Sequence, residues 1–451
     1  MEFIHRPYTQ GDTVAAIATP PGEGGVAVVR ISGKGALDIA EKVYSGPIRS
    51  YKSHTAHLGK IVDADGKMVD EVLALVMLAP RSYTGEDTVE IHCHGGSLIT
   101  RRVLETVLIA GARPADPGEF TFKAYINGKL DLAQAEAVQQ LISAKNDLAL
   151  NAAEHQLQGR LSAHILEFQK KLVDIAAILE AWVDFPEEDL EFATMDEVIA
   201  TLFNIQQLME RLASTYHHGK ILNHGISLCL AGAPNAGKSS LMNALLGKER
   251  AIVTDIPGTT RDVLDDEMKF GNLHFRLIDT AGIRDSSEII EQIGISRSKT
   301  EMQQADLVLF VLDASRGFDL SIAPPEKTLF VWNKIDLPDA MPPPALPHLV
   351  SISAKEGSGI DALQAAIEKW IWQKGPPAKD EIVITSVRHH QALLNAIDAV
   401  QVLIEGLKTG VSPEFVASDM RKVLSELGTI IGTNITEDIL SAIFSKFCIG
   451  K

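Results

Sequence analysis

The sequence predicts a protein of the α/β plus all-α class with three parts: an N-terminal α/β domain, a helical domain, and a third domain with a mixed, mostly parallel sheet inserted into the helical one. Strand-like runs separated by turn residues occupy the first 125 positions. Proline-free stretches with apolar residues at three- and four-residue spacing follow, and they return after residue 380. Between these two helical stretches, apolar runs typical of buried strands alternate with polar loops. We therefore expect domains over 1–125, 126–220, 221–375 and 376–451, the second and fourth being two parts of the helical domain.

The composition is that of an ordinary folded protein with an acidic balance. The 451 residues are 45% hydrophobic and 22% charged, and the net charge is −17. This balance argues against a wide non-specific nucleic-acid surface. Cys93, Cys229 and Cys448 are too few and too scattered for a disulfide framework, which suits a reducing cytosol. With no signal-like N-terminus and no apolar stretch of about 18 residues, we predict a cytoplasmic protein without a membrane span.

The N-terminal segment contains four strand-like runs and one helical pattern, over 13–18, 25–31, 72–78, 87–94 and 98–109. His92 and His94 share one face of the fourth strand with Glu90, so a metal site has to be considered. Nothing else nearby has metal-ligand spacing. A structural role is therefore favoured for the histidines, and Glu90 is the more interesting polar group.

Long amphipathic helices are predicted in both parts of the helical domain, over 130–183, 195–212, 389–407, 413–427 and 436–447. The acidic run at 184–192 interrupts the first series, and its simplest interpretation is a solvated connection. After the last helix comes a Cys-Ile-Gly-Lys tail, which we expect to be flexible. Because a flexible tail is an odd place for a buried structural cysteine, we favour a functional role for Cys448.

The central motif is GAPNAGKS at 232–239, which lies between an apolar run at 226–231 and a helical pattern. This order of strand, glycine-rich loop, Lys-Ser and helix is the phosphate-binding P-loop. Backbone N–H groups of the loop and of the helix N-terminus surround a polyphosphate, and Lys238 adds a positive charge near its end. The hydroxyl of Ser239 supplies an oxygen ligand for Mg²⁺.

The other elements of a guanine-nucleotide site follow in order. GTTRD at 258–262 is a switch loop, and DTAG at 279–282 ends a strand where a carboxylate and a glycine N–H meet Mg²⁺ and the γ-phosphate. NKID at 333–336 ends another strand, and the carboxylate of Asp336 accepts the two N–H donors that guanine has and adenine lacks. SAK at 353–355 is the segment expected to contact the guanine carbonyl. Together these motifs predict a GTP-binding domain of the Ras-like P-loop type.

One position departs from the Ras-like pattern. Ile283 follows DTAG where Ras-type proteins carry a water-orienting glutamine, and isoleucine cannot position water. Another polar group must therefore position the attacking water. The nearest acidic side chains are those of EIIE at 288–291. Asn235 either helps to hold a monovalent cation near the phosphates or is a turn-favouring residue without a ligand role. An arginine supplied in trans, from Arg261 or Arg284, is the competing mechanism.

Motifs outside the nucleotide site narrow the identification. They are ATPPG at 18–22, GGV and VRISG within 24–33, TGED at 84–87 with Glu90 and HGG at 94–96, RP and PGEF within 113–120, KLDLAQAE at 129–136, DFPEE at 184–188, and FCIGK at 447–451. Around an inserted GTP-binding domain, they resemble the MnmE (TrmE) family of tRNA modification GTPases from end to end. No departure falls on a motif residue.

The resemblance implies a role for each site residue. Asn235, Thr254, Ile256 and Thr259 match potassium ligands, and Ser239 and Thr260 match magnesium ligands. Glu291 matches the residue that positions the attacking water, while Arg30, Glu90, Lys129 and Lys451 match the binding site for 5-formyl- or 5,10-methylene-tetrahydrofolate. Cys448 matches a cysteine needed for tRNA modification. The predicted nucleotide-binding residues are Asn235, Ala236, Gly237, Lys238, Ser239, Ser240, Thr254, Asp255, Ile256, Pro257, Gly258, Thr259, Thr260, Asp279, Thr280, Ala281, Gly282, Asn333, Lys334, Asp336, Ser353, Ala354 and Lys355.

The resemblance also implies an activity and partners. It implies a homodimeric, potassium-dependent GTP hydrolase that forms a heterotetramer with MnmG, a partner that carries FAD. The complex modifies C5 of the wobble uridine, U34, of certain tRNAs to a (carboxymethyl)aminomethyl group, with a one-carbon unit from tetrahydrofolate and nitrogen from glycine or ammonia. Two alternatives stay open: a ribosome-assembly GTPase of the Era type, and a folate-dependent aminomethyltransferase with a regulatory GTP-binding domain.

Overall fold

The computed structural model describes residues 11–184, 194–248, 267–270, 273–278, 302–320, 326–372, 375–411 and 413–451. Within them, the chain forms two six-stranded sheets and a bundle of long helices, each with an apolar core. This architecture confirms the predicted α/β plus all-α class. None of the helices in these ranges is both long enough and apolar enough to cross a membrane.

Two helices pack on one face of the N-terminal sheet and build its main core. Its elements are β1 (Val14–Ile17), β2 (Gly24–Ser32), α1 (Ala36–Val43), β3 (Thr55–Val62), β4 (Met68–Met77), β5 (Thr88–Gly95), α2 (Ser97–Ile109) and β6 (Arg113–Pro114). The strand order is β3-β4-β5-β2-β1-β6, and only the pair β1 and β6 is parallel. Alternate strand residues such as Val29 and Ile91 are fully buried in the same core as Val103 of α2. Strand β3 and helix α1 are additions to the predicted elements.

A series of helices follows the N-terminal sheet and leads into the first part of the helical domain. Its helices are α3 (Glu119–Ile126), α4 (Leu132–Ser143), α5 (Asp147–Leu157), α6 (Arg160–Asp184), α7 (Met195–Ser214) and α8 (Tyr216–His224). Helix α4 begins with a capping box in which the Asp131 side chain accepts from the Gln134 backbone N–H at 2.8 Å and the Gln134 side chain accepts from the Asp131 N–H at 3.0 Å. Such a reciprocal cap satisfies two N–H groups that a helix start would leave unpaired.

The inserted domain contains the second sheet, which is parallel except at one edge. Its elements are β7 (Ile226–Gly232), α9 (Lys238–Lys248), β8 (Glu267–Phe270), β9 (Leu273–Ile278), β10 (Leu307–Asp313), β11 (Thr328–Asn333), β12 (Leu349–Ser351) and α10 (Ile360–Ile371). The order is β12-β11-β10-β7-β9-β8, with only β8 antiparallel to its neighbour. Every residue of β10 and β11 is buried, as expected for central strands of a parallel sheet. The prediction of a mixed, mostly parallel sheet is confirmed.

The second part of the helical domain packs against the first. Its helices are α11 (Val387–Thr409), α12 (Pro413–Ile431) and α13 (Glu437–Phe444). Leu172 of α6 and Ile205 of α7 share one buried core with Leu403 of α11 and Val423 of α12. Segments on either side of the inserted domain therefore build a single bundle.

A buried ionic cluster joins the two parts of the bundle. Glu136 of α4 pairs through Oε1 with Nε of Arg388 at 3.0 Å, and through Oε2 with Nε2 of His389 at 2.6 Å. Arg388 also donates to the carbonyls of Thr429 and Ile430 at the end of α12. Burial opposes ionisation of Glu136, but His389 and Arg388 outweigh it and lower the pKa of the carboxyl to about 2. The cluster ties α4, α11 and α12 together beside the point where the inserted domain rejoins the bundle.

Candidate functional sites

The phosphate-binding loop follows β7 and ends at the first turn of α9. Gly232 and Gly237 have φ angles of +136° and +97°, and a Cβ atom at these positions would clash with Val311 O and with the Asn333 side chain, respectively. Both positions therefore require glycine. Asn235 adopts a left-handed φ of +64° and is exposed at the tip of the loop. The loop conformation predicted from GAPNAGKS is thus built into the backbone.

Lys238 lies at the mouth of this loop. Its Nζ donates to the carbonyls of Gly232 and Ala233, both at 2.9 Å. Burial lowers the pKa of its ammonium group. Ser239 and Ser240 are exposed beside it in the first turn of α9, where helix N–H groups favour an anion. The described part of the loop thus fits a polyphosphate, and the exposed Ser239 is the residue predicted to be a ligand of the divalent cation.

Asn333 connects the loop to residues 353–355, the segment predicted to lie against the guanine. Its side chain is almost fully buried, with 1% exposure for the residue. Its Nδ2 donates to Ala236 O at 2.9 Å, and its Oδ1 accepts from the Ala354 N–H at 3.0 Å. A single amide therefore fixes residues 233–237 relative to residues 353–355.

Asp336 and Lys334 follow Asn333 at the end of β11. Oδ1 of Asp336 accepts from the Ser353 hydroxyl at 2.6 Å, and this hydrogen bond lowers the pKa of the carboxyl. Lys334 has a left-handed φ of +68°, and its Nζ donates to Oδ2 of Asp313 at 2.6 Å. Asp336 is consequently held as a carboxylate, which is the acceptor that the N–H pair of guanine requires.

The remaining predicted nucleotide and metal residues lie outside the described ranges. They are Thr254, Asp255, Ile256, Pro257, Gly258, Thr259, Thr260, Asp279, Thr280, Ala281, Gly282 and Glu291, together with Arg261, Ile283 and Arg284. The described residues therefore carry the phosphate loop and the base-recognition segment of the predicted site.

A second group of predicted residues meets on the N-terminal sheet. Arg30 of β2 and Glu90 of β5 are opposite each other in register, and Nε of Arg30 donates to Oε1 of Glu90 at 2.8 Å. The two side chains are each 14% exposed. The guanidinium lies over the rings of Tyr83 and Phe120, with ring centroids at 5.7 Å and 5.4 Å. Sequence patterns do not indicate these two aromatic neighbours, because they lie 53 and 90 positions from Arg30.

The C-terminal tail reaches this pair. Gly450 O accepts from Nη1 of Arg30 at 3.3 Å, and Cys448 O accepts from the Gly118 N–H at 3.4 Å. A Cβ on Gly450, which has a φ of +99°, would clash with Ile17 O of β1. Burial and Arg30 lower the pKa of Lys451, against a weaker opposing effect of Glu90. The tail, expected to be flexible, is thus fixed by specific contacts, and it brings Lys451 to Arg30 and Glu90 while the Cys448 side chain stays exposed.

Lys129 and the strand histidines lie around this cluster. Nζ of Lys129 is exposed and donates to Pro80 O at 3.1 Å, in the same loop as Tyr83. His94 is held by Asp70, with Nδ1 at 2.8 Å from Oδ1, whereas His92 lies beside Glu90. In the described ranges, no three His, Cys, Asp or Glu side chains are grouped so as to hold a metal ion.

The strand-loop-helix unit, the mostly parallel sheet and the carboxylate at the end of β11 define a P-loop GTP-binding protein with flanking domains. Two family models match the chain: the GTP-binding protein TrmE N-terminus matches residues 13–129, and the MnmE helical domain matches residues 132–448, a range that includes the inserted domain. The chain belongs to the MnmE family of tRNA modification GTPases. Membership implies GTP as the nucleotide and Mg²⁺ as its metal ion.

Full-length relatives agree with this assignment. The chain is 62% identical to the tRNA modification GTPase MnmE of Protochlamydia amoebophila over 458 residues, covering 100% of both chains. It is 44% identical to the protein of the same name from Chlamydia felis, covering 98% of this chain and 100% of the relative. Among solved structures, the G domain of the T. maritima FeoB iron transporter matches 32% of this chain and 98% of its own length, at 26% identity and a TM-score of 0.23. At that score the structural match carries no argument.

Proposed function

We propose that the chain is a potassium-dependent GTPase that modifies C5 of wobble uridine 34 of certain tRNAs, together with the FAD-carrying partner MnmG. The observation that best supports the GTPase part is the geometry of β11, where Asn333 joins the phosphate loop to residues 353–355 and Asp336 is oriented by Ser353. The names of the full-length relatives support tRNA as the substrate.

The phosphates and the base are bound by different parts of the inserted domain. Lys238 exchanges its loop-carbonyl contacts for the β- and γ-phosphates, and the N-terminus of α9 adds N–H donors. Asp336 accepts the N–H pair of guanine and so excludes adenine. The hydroxyl of Ser239, with that of Thr260, would hold Mg²⁺, which neutralises charge on the phosphates when bound.

Hydrolysis needs a substitute for the missing glutamine and for an arginine. Asn235 extends from the loop tip in an exposed, left-handed conformation, so its side-chain oxygen is free to point along the phosphates. With Thr254, Ile256 and Thr259 it would hold K⁺, which supplies positive charge at the β–γ bridge when bound. Glu291 positions the attacking water. Two such domains approach each other across these segments.

Turnover of GTP by the full chain, measured in potassium and in sodium at equal ionic strength, tests this mechanism. We expect a much higher rate in potassium, and Asn235→Ala should abolish the difference while nucleotide binding is kept. Glu291→Ala should lower the rate by about 10²–10³ and leave potassium-dependent association, followed by light scattering, intact. Equal rates in the two salts would refute the mechanism. Loss of activity in Arg261→Ala, with potassium dependence retained in Asn235→Ala, would favour an arginine in trans.

The Arg30–Glu90–Lys451 cluster is proposed to bind a formyl- or methylene-tetrahydrofolate. A carboxylate that is 14% exposed suits the amino-pyrimidine edge of a pterin, which offers two N–H donors in a plane. Basic groups at Arg30, Lys451 and Lys129 suit the glutamyl tail. When bound, the folate supplies a one-carbon unit. The exposed thiol of Cys448, two residues from Gly450, is proposed to act in tRNA modification beside this cluster.

Exposed apolar side chains on the N-terminal sheet support a homodimer. Val26, Leu58 and Leu73 lie on the face opposite α1 and α2 and are 61%, 69% and 45% exposed. Leu58 and Leu73 are direct cross-strand partners, so these two exposed apolar side chains are contiguous. Contiguous apolar patches of this kind mark interaction sites. A second copy of the chain would bury this face.

A further inference from the structure

His92 lies next to Glu90, one of the residues of the proposed folate site. It lies two residues after Glu90 on β5 and therefore on the same face of the sheet. Its cross-strand neighbours are Val28 of β2 and Leu73 of β4, both apolar. On its own face of the strand this imidazole has two polar neighbours, Glu90 and His94, and the ring of His94 is hydrogen-bonded to Asp70.

The nitrogen that faces Glu90 lacks a hydrogen bond. Nε2 of His92 lies 3.6 Å from Oε2 of Glu90, a distance longer than a hydrogen bond. This nitrogen is buried and has no hydrogen-bond partner among the described residues, although the side chain as a whole is 32% exposed. Native structures rarely keep a buried polar atom unpaired without a reason.

His92 could contact the ligand directly or act on it through Glu90, and the geometry distinguishes these two roles. A ligand cannot reach a nitrogen that is covered by protein atoms, so a direct contact between Nε2 and the pterin is excluded in this conformation. Glu90, in contrast, has one oxygen bonded to Arg30 and its other oxygen turned towards His92. Any influence of Nε2 on the ligand therefore acts through the Glu90 carboxylate.

We propose that His92 is a positioning residue for folate binding, whose Nε2–H donates to Oε2 of Glu90 while the carboxylate holds the pterin edge. Arg30 already holds one oxygen of the carboxylate, and closing the 3.6 Å gap to His92 would hold the other oxygen while the pterin edge is bound. A carboxylate held at both oxygens keeps its plane turned towards the pterin, and the affinity rises accordingly. This inference rests on the proposed folate site.

The test uses the full-length chain and 5-formyl-tetrahydrofolate as the probe, with the dissociation constant measured by calorimetry. His92→Ala should raise Kd by about tenfold, the effect of one charge-assisted hydrogen bond. His92→Gln, which keeps a side-chain N–H donor, should recover most of the affinity. In a Glu90→Gln background, His92→Ala should add little, because the two residues act as a unit. His94→Ala is the matched control: it removes a histidine of the same strand that is held by Asp70, and Kd should not change.

The outcomes separate the inference from the site on which it rests. An unchanged Kd in His92→Ala, equal losses in the Ala and Gln variants, or full additivity with Glu90→Gln would overturn the role of His92 while leaving the folate site in place. No binding by the unmodified chain, or an unchanged Kd in Glu90→Gln, would overturn the folate site itself and the inference with it. Thermal unfolding of each variant shows whether a loss of affinity reflects a loss of fold.

Discussion

Replacing Glu136 with glutamine is expected to destabilise the helical bundle severely. The substitution keeps the volume but removes the negative charge that pairs with Arg388 and His389, which are 20% and 0% exposed at the side chain. Breaking a buried ion pair from one side leaves an uncompensated charge and costs about 3–5 kcal/mol. The lowered pKa agrees with this magnitude, because a shift from 4.5 to about 2 corresponds to roughly 3 kcal/mol of stabilisation.

The same pKa predicts a pH dependence with a definite sign. The carboxyl is more acidic in the folded chain than in the unfolded one, so its contribution is fully present above about pH 4.5. It is lost as the pH falls towards the folded-state value of about 2. Acid destabilisation in this range should therefore be weaker in Glu136→Gln than in the unmodified chain.

Amide hydrogen exchange in α4, α11 and α12, combined with denaturant unfolding, measures the effect where it occurs. The matched control is Glu167→Gln, which removes the same charge from an exposed pair with Lys171 on α6 and should change little. The reasoning would be refuted if Glu136→Gln and Glu167→Gln showed the same amide protection and the same denaturant midpoint.

Three further predictions concern the base, the tail and the dimer. Asp336→Asn should weaken GTP at least about tenfold in a nucleotide titration, because the new amide places a donor against a donor of guanine; unchanged affinity would refute the base assignment. Deleting residues 448–451 removes the Gly450 carbonyl and Lys451 and should weaken tetrahydrofolate binding in calorimetry without affecting GTP binding; equal folate affinity would contradict the tail contact. Leu73→Asp should give monomers in light scattering, and a persistent dimer would place the interface elsewhere.

The phosphate loop and the inserted sheet were predictable from sequence because their signals are local. A loop of the GAPNAGKS type needs glycine at positions 232 and 237, where φ is positive and a Cβ atom would clash, and central parallel strands such as β10 need a continuous apolar run. Strand β3 carries no such signal. Its apolar residues Ala56 and Leu58 face outward and are exposed, and Gly59 and His57 interrupt the pattern.

The contacts that join distant segments were not predictable from local patterns. Arg388 lies 252 positions from Glu136, and Gly450 lies 420 positions from Arg30. These neighbours are set by tertiary packing, such as that of Phe444 and Phe447 against Phe122 of α3, which carries the chain end to the N-terminal sheet. The family resemblance names Arg30, Glu90 and Lys451 together, whereas the aromatic rings over Arg30 and the unpaired nitrogen of His92 come from the structure.

The most direct test of the account is a measurement of wobble-uridine modification in tRNA by mass spectrometry. The reaction contains the full chain, the FAD-carrying partner, tetrahydrofolate, tRNA and a nitrogen source, with either GTP or a non-hydrolysable GTP analogue. The account predicts modified uridine 34 with GTP and none with the analogue or without the chain. Equal modification with the analogue would reduce the inserted domain to a regulatory binding module, and modification without the chain would contradict the proposed function outright.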